Sequence, residues 1–289
     1  MLSTDALASF AVFADHLNFT RAAAALHISQ PALHVKVAKL AESVGRPLYR
    51  RQGRTLMLTP TGEAVARFAR DLDARMTTFL DEVRETPPTR PLVLAAGEGA
   101  YLYLLGDLIR ETLERGGRLE LVNCDRDRML AAVRSGRADL GVAVLDVLPE
   151  DLTTTLLAAY SQVLVMPTSH PLALQATLTV ADLAGAALVV PPPSRPHRIA
   201  VERALRAGGV TWTVAIEAAG WPLTLHFVTL GVGLAVVNGC VRVPPGLTTR
   251  EITDLPAVPY YAAYVPGRAS DPRVASLLTG LRSSRATER

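Results

Sequence analysis

Residues 17–46 read LNFTRAAAALHISQPALHVKVAKLAESVGR, and this run decides the fold of the amino-terminal third. Before it, Leu7, Phe10, Ala14 and Leu17 recur at helical spacing behind Ser3 or Thr4 as N-cap. Asn18-Phe19-Thr20 interrupts the pattern, and Thr20 can cap a short helix, Arg21–Leu26, whose alanines let a neighbour approach closely. His27-Ile28-Ser29 makes a tight turn in which Ile28 plugs the core. Ser29 caps a third helix that opens Gln30-Pro31, where proline is tolerated because first-turn N–H groups have no intrahelical partner, and it ends at Val44 before Gly45. Leu33, Val37, Leu40 and Val44 form one buried stripe, while Pro31, Val35, Ala38 and Glu42 point the other way, flanked by His34 and Lys39.

Two short helices joined by a tight turn, the second with a free amino-terminal face, is helix-turn-helix geometry suited to a DNA major groove. A plain three-helix bundle has the same periodicity, and the residues after Gly45 separate the two. Leu48–Thr59 alternates like a hairpin around Gln52-Gly53, carrying Arg50, Arg51 and Arg54 where a wing would meet phosphates. Thr59-Pro60 then opens a long helix with Val65, Phe68, Leu72, Met76, Phe79 and Val83 in a coiled-coil-like seam, which reads as a dimerisation helix. It stops at Pro87-Pro88-Thr89-Arg90-Pro91, a stiff hinge.

Charge agrees with this division. The chain has 289 residues and a formal charge of +3, but residues 1–62 carry +4 and the remainder −1. Its two lysines, Lys36 and Lys39, both sit on the third helix. A basic module on a neutral body suits a polyanion partner. The start MLSTDALASFAVFADH has no secretory pattern, and no run approaches the ~18 apolar residues of a membrane span, so a cytoplasmic location without membrane contact is expected. Cys124 and Cys240 lack metal spacing and read as buried thiols; the six histidines form no metal pair, and no cofactor is expected.

The stretch Phe19–Glu63 resembles the amino-terminal signature of LysR-type transcriptional regulators. Thr20-Arg21-Ala22-Ala23, Ser29-Gln30-Pro31-Ala32-Leu33, Gly45-Arg46-Pro47-Leu48 and Leu58-Thr59-Pro60-Thr61-Gly62-Glu63 carry the resemblance in order. It implies a multidomain chain. An all-α winged helix-turn-helix (1–59) and a dimerising linker helix (60–86) come first. A hinge (87–91) then leads to a two-lobed α/β, type 2 periplasmic-binding-protein-like effector domain (92–289). Lobe I is expected at about 92–160 and 266–289, and lobe II at about 161–265. The implied partners are double-stranded promoter or operator DNA, a small-molecule effector, and further copies of the chain as a homodimer and homotetramer; a contact with RNA polymerase stays open. The expected DNA-facing residues are Thr20, Arg21, Ser29, Gln30, Pro31, His34, Val35, Lys36, Lys39, Arg50, Arg51 and Arg54. The sequence departs from the family pattern at His34, Val35, Ala38 and Ala41, which shifts the basic contact toward Lys36 or Lys39.

Beyond the hinge, strand-like and helix-like segments alternate, as in α/β units on a largely parallel sheet. Strands are expected at Leu92–Ala96, Leu119–Cys124 and Asp139–Leu145, and helices at Tyr101–Glu114 and Arg128–Arg134. Further units of the alternation follow at Val163–Met166, Ala187–Val190, Arg198–Arg206, Thr213–Glu217, Leu223–Leu230 (a helix), Leu234–Val237, Tyr260–Val265 and Val274–Leu281. Ligands of such lobes collect beyond strand carboxyl ends. That rule selects Gly97, Glu98, Gly99, Ala100 and Tyr101; Asp125 and Arg126; Ser194, Arg195 and His197; and Trp221 with Asn238. A Glu98–Arg126 bridge, solvated Arg195 and Arg198, and a merely packed Trp221 are the duller alternatives. No P-loop, GxGxxG, HExxH or nucleophile elbow occurs, so no enzyme is expected. The competing readings are a constitutive regulator without ligand, and a solute-binding protein or enzyme of similar fold.

Overall fold

The computed structural model describes residues 3–53, 55–83 and 90–283. Helix α1 (Thr4–His16) starts where Ser3 Oγ accepts the Ala6 N–H, and it closes at Leu17 in the left-handed region. Helix α2 (Phe19–Ala25) begins two residues before the expected Arg21. Asn18, not Thr20, is its cap: Asn18 Oδ1 accepts the Arg21 N–H. Asparagine caps better than threonine, and the earlier start lets Phe19 drop into the core. Helix α3 (Gln30–Val44) runs from Ser29 to Gly45, whose φ of 74° suits glycine. Leu33, Val37 and Leu40 are buried against Phe10, Phe13 and Phe19, while Val44 is only half-buried.

Strands β1 (Tyr49–Gln52) and β2 (Thr55–Leu58) pair antiparallel around Gly53. Thr59 caps helix α4 (Pro60–Val83) through the Gly62 N–H and ties it back to the Pro47 carbonyl. The near half of α4 packs Ala66 and Ala69 into the α1 core. Phe68, Met76, Phe79, Leu80 and Val83 are 40–65% exposed, while Val65 and Leu72 pack against the α1 core, so the expected seam is covered within the chain at two of its six positions and open at the other four. Arg54 and hinge residues 87–89 lie outside the described residues.

The rest forms two lobes. The first has a five-stranded sheet in the order β4-β3-β5-β12-β6: β3 (Leu92–Ala96), β4 (Leu119–Asn123), β5 (Leu140–Val144), β6 (Thr153–Tyr160) and β12 (Val258–Tyr264). The second has β7 (Gln162–Pro167) between β10 (Ala235–Asn238) and β11 (Leu247–Glu251), both antiparallel to it. Beside them β8 (Ala187–Val190) pairs parallel with β9 (Thr213–Glu217). The sheets are therefore mixed and not largely parallel: β3 is parallel to β4 and β5, but β12 runs antiparallel to β5 and β6.

Two boundaries move. Residues 258–265 were expected in the second lobe, yet β12 completes the first lobe's sheet, so the return crossing lies between Glu251 and Val258. The expected helix Tyr101–Glu114 is two helices, α5 (Glu98–Tyr103) and α6 (Gly106–Glu114). They separate because the Leu104 and Leu105 N–H groups both bond the Ala100 carbonyl, ending the ladder. The remaining helices are α7 (Arg126–Arg134), α8 (Pro196–Ala207), α9 (Trp221–Thr229) and α10 (Pro272–Ser283).

At the start of the first lobe, the fully buried Asp139 accepts the Val93 N–H and pairs with Arg90 and Arg268. Asp271 pairs with Arg273, which also donates to the Arg90 carbonyl. The chain leaving the hinge is thus fastened to its lobe by buried charge-assisted bonds.

Candidate nucleic-acid interface and interlobe cleft

The amino-terminal face of α3 stands in solvent, with Gln30, Pro31, His34, Val35, Ala38 and Lys39 all exposed. Thr20 donates its hydroxyl to Gln30 Oε1 at 3.1 Å, which fixes the amide and leaves its NH2 directed elsewhere. Arg21 is exposed beside it, whereas the Ser29 hydroxyl is engaged in the cap. His34 stacks on Phe19, so its ring is held to the core of the module.

Lys36 departs from expectation. Its ammonium bonds Asp5 Oδ1 at 2.8 Å and approaches Ser9 Oγ at 3.5 Å. At 100° per residue it flanks Leu33 and Leu40 of the buried stripe, so it serves the α1–α3 contact while Lys39 faces outward. Arg50 and Arg51 are exposed on β1, and Arg51 Nε also donates to the Gly53 carbonyl, bracing the wing turn.

Between the lobes, α5 faces the amino-terminal end of α9. Gly99 lies under the Trp221 indole so closely that a Cβ there would sit 3.1 Å from its Cδ1. Glu98 Oε2 would lie 2.9 Å from a Cβ on Gly220. The Trp221 ring meets His197 edge-on, centroids 4.9 Å apart. Both His197 ring nitrogens are buried without a partner among the described residues, and burial pushes its pKa down to about 4. Ser194 and Arg195 are exposed in the turn before α8.

Asn238, buried at the end of β10, donates to Tyr260 Oη at 2.8 Å, and its Oδ1 is another buried atom lacking a partner among the described residues. Tyr103 is half-buried here, and its pKa is raised by burial, then by Cys240 and Glu98. Sequence reasoning passed over Tyr103 as part of an apolar run. Its position four residues after Gly99 puts it on the same helix face, a signal that could have found it.

Four expectations fail to reach this cleft. Tyr101 turns into the first lobe, where its hydroxyl lies 2.6 Å from the Leu94 carbonyl and 3.1 Å from that of Val122; burial drives its pKa up to about 12. Asp125 caps α7 by accepting the Arg128 N–H. Arg126 pairs with Asp127 and Asp146, not with Glu98, because the start of α7 lies beside the loop after β5. Arg198 is neither solvated nor in the cleft: it is buried, bonded to Glu202 and the Pro191 carbonyl, with its guanidinium over Trp212. Gly97 serves as the N-cap residue of α5, and Ala100 is buried beneath that helix. Cys124 and Cys240 form no disulfide. No metal-ligand cluster occurs among the described residues, and no helix among them is long and apolar enough to cross a membrane.

Residues 85–286 match the family model described as LysR substrate binding domain, and residues 4–63 match that of the bacterial regulatory helix-turn-helix protein, lysR family. The RuBisCO operon transcriptional regulator of Acidithiobacillus ferrooxidans is 26% identical over 281 residues, covering 93% of this chain and 90% of that one. The HTH-type transcriptional regulator CatR of Pseudomonas putida is 32% identical, covering 81% of each. Among solved structures, a full-length OxyR variant from Pseudomonas aeruginosa superposes with a TM-score of 0.75 at 22% identity, covering 98% of this chain and 95% of that one.

Proposed function

The chain belongs to the LysR family of DNA-binding transcriptional regulators with an effector-binding domain, and on that premise we propose which of its residues carry the two activities. DNA is read by the exposed first turns of α3, with Gln30, His34 and Val35 at base edges and Thr20, Arg21, Lys39, Arg50 and Arg51 at phosphates. The observation that carries this assignment is the Thr20–Gln30 bond, which holds one bidentate-capable amide at the solvent end of the recognition helix. Val35, 53% exposed, offers methyl groups to a thymine.

The effector enters between α5 and the starts of α8 and α9, against Gly99, Tyr103, His197, Trp221 and Asn238. Buried polar atoms normally have partners. His197 and Asn238 Oδ1 are the groups that a bound molecule would satisfy. Binding shifts the balance between open and closed lobes, and this alters how the DNA-binding modules are presented. The exposed seam of α4 pairs two copies, and the assembly works in the cytoplasm as a homotetramer, by binding and without a catalytic step.

Gel-shift titration of the intact protein on the DNA upstream of its own gene tests the reading. Salt-sensitive, sequence-specific retention is expected; equal retention of unrelated duplex of the same length would overturn it.

A further inference from the structure

Arg70, in the middle of α4, bonds two other parts of the chain at once. Nη2 pairs with Asp15 Oδ1 at 2.7 Å, one residue before the end of α1. Nη1 donates to the Ser135 carbonyl at 2.7 Å, at the carboxyl end of α7 in the first effector lobe. The guanidinium side chain is only 13% exposed. Carboxyl ends of helices carry unsatisfied carbonyls and partial negative charge, so one cation placed between two of them is stabilised by both.

The approach is made by glycine. Gly136 follows Ser135 with φ +72°, and a Cβ there would already stand 3.4 Å from Arg70 Cβ. A larger residue would be strained in that conformation and would push the lobe off α4. A second contact lies about one and a half turns farther along: Arg75 Nη2 lies so near Gly267 that a Cβ would be 2.6 Å away. Between α4 and the lobe remains a cavity of about 150 Å³ lined in part by Asp71, Arg75, Phe79 and Asp271.

Covalently, the lobe is joined to α4 only beyond Val83, ~20 Å along the helix from Arg70. We propose that Arg70 is the positioning residue that couples the effector domain to the DNA-binding module of the same chain. A lobe attached only through the hinge could swing without moving α1. Attached also at Arg70, it cannot shift its α7 end without breaking a charge-assisted bond or carrying α4 and α1 with it. The proposal rests on the reading that the first module binds DNA, and it extends that reading from the sites to the route between them.

Coupling free energy is reciprocal, so DNA binding must be felt at Ser135–Gly136. The test is amide hydrogen exchange of the intact protein with and without a duplex from upstream of its own gene. In the wild type, DNA is expected to change exchange in residues 133–138 by at least ~3-fold. Arg70→Gln should abolish that change while gel-shift affinity stays within ~3-fold, since Arg70 does not face DNA. Gly136→Val, strained at φ +72° and pressed on Arg70, disturbs the same contact from the lobe side and should abolish it too, so the test stands even where Arg70→Gln folds poorly. Asp15→Asn keeps the Arg70–Ser135 bond and the packing of Ala66 and Ala69 on α1, and should keep the response. An exchange response that survives in Arg70→Gln or Gly136→Val, or is absent in a wild type that does bind the duplex, overturns the coupling. Failure of the wild type to bind the duplex at all overturns the DNA reading as well, and the gel-shift arm identifies that case.

Discussion

The imidazole of His34 lies on the ring of Phe19, with centroids 3.6 Å apart and planes 18° from parallel. Phe19 in turn stacks on Phe13 at 4.2 Å, so an exposed residue of the DNA-facing helix is fastened directly to the core of its module. Stacked pairs are worth about 1 kcal/mol beyond area burial. His34→Ala is therefore expected to destabilise the protein by ~1 kcal/mol in urea unfolding and also to change base preference. His34→Phe should keep the stability and change only the preference. Equal stability of His34→Ala and wild type would show that the stack contributes nothing.

The polar groups of the DNA-binding module separate by salt dependence. On the proposed assignment Arg51 meets phosphate, so Arg51→Ala should weaken binding to all sequences alike and lower the log–log salt slope by about 1. On the same assignment Gln30 meets a base edge, so Gln30→Ala should relax preference at one base position with the slope unchanged. Lys36 is tied to Asp5, so Lys36→Met should leave both slope and preference as they are, while Lys39→Met lowers the slope. A lowered slope for Lys36→Met would mean that the ammonium leaves Asp5 when DNA arrives.

Most caps and turns of the first module were legible because each is a local event: Ser29, Pro31, Gly45 and Thr59 act on the residues next to them, and the exception is α2, capped by Asn18 where Thr20 was expected. Reading failed where an outcome depended on distant chain. Strand β6, TTTLLAAY, opens on three threonines with no apolar–polar alternation, and β11, LTTRE, has no apolar run; both are held as strands by pairing with β12 and β7. Pro259 delays the expected start of β12 to Tyr260, although the strand begins at Val258 with Pro259 opposite Ala159. Likewise the loop rule found Gly99, Trp221 and His197 but could not say that Tyr101 and Arg126 face elsewhere. Side-chain direction at a strand end is set by neighbours from other units.

Asp271 gives an acid-stability prediction. Burial alone would raise its pKa, but bonds to the Arg273 side chain and N–H and the charges of Arg273 and Arg268 more than reverse this, and the net shift is downward. A depressed carboxyl stabilises the fold above its unfolded value of 3.8, and that contribution is lost as pH falls through the lower folded value. Asp271→Asn should therefore cost stability at pH 7 and converge on the wild type as pH falls through the depressed folded value. Parallel stability curves for the two proteins across that range would refute the assignment.

His197 acts over a different window. Its folded pKa of about 4 lies below the ordinary 6.5, so between these values the unfolded chain binds a proton that the folded chain does not. Stability is then full above pH 6.5 and falls toward pH 4, by ~3 kcal/mol over the interval. His197→Phe should remove that slope in denaturant titrations between pH 4 and 7. A wild-type curve already flat in this range would show that the ring finds a proton acceptor when charged.

Trp221 and Gly99 make the cleft observable. The chain has two tryptophans, and the other, Trp212, lies beneath Arg198 on the second lobe. A Cβ on Gly99 would stand 3.1 Å from Trp221 Cδ1 and 3.4 Å from Nε1, a tight contact at which the indole or the α5 lobe gives by a few tenths of an ångström. Gly99→Val extends that overlap by two methyl groups and should move Trp221 toward solvent, giving a red shift and stronger acrylamide quenching. The same substitution in a Trp221→Phe background should leave the remaining Trp212 emission unchanged, which assigns the signal. Unaltered fluorescence in Gly99→Val would mean that the two lobes separate too freely in solution for the indole to rest on Gly99, and the cleft would then be open before any molecule enters it.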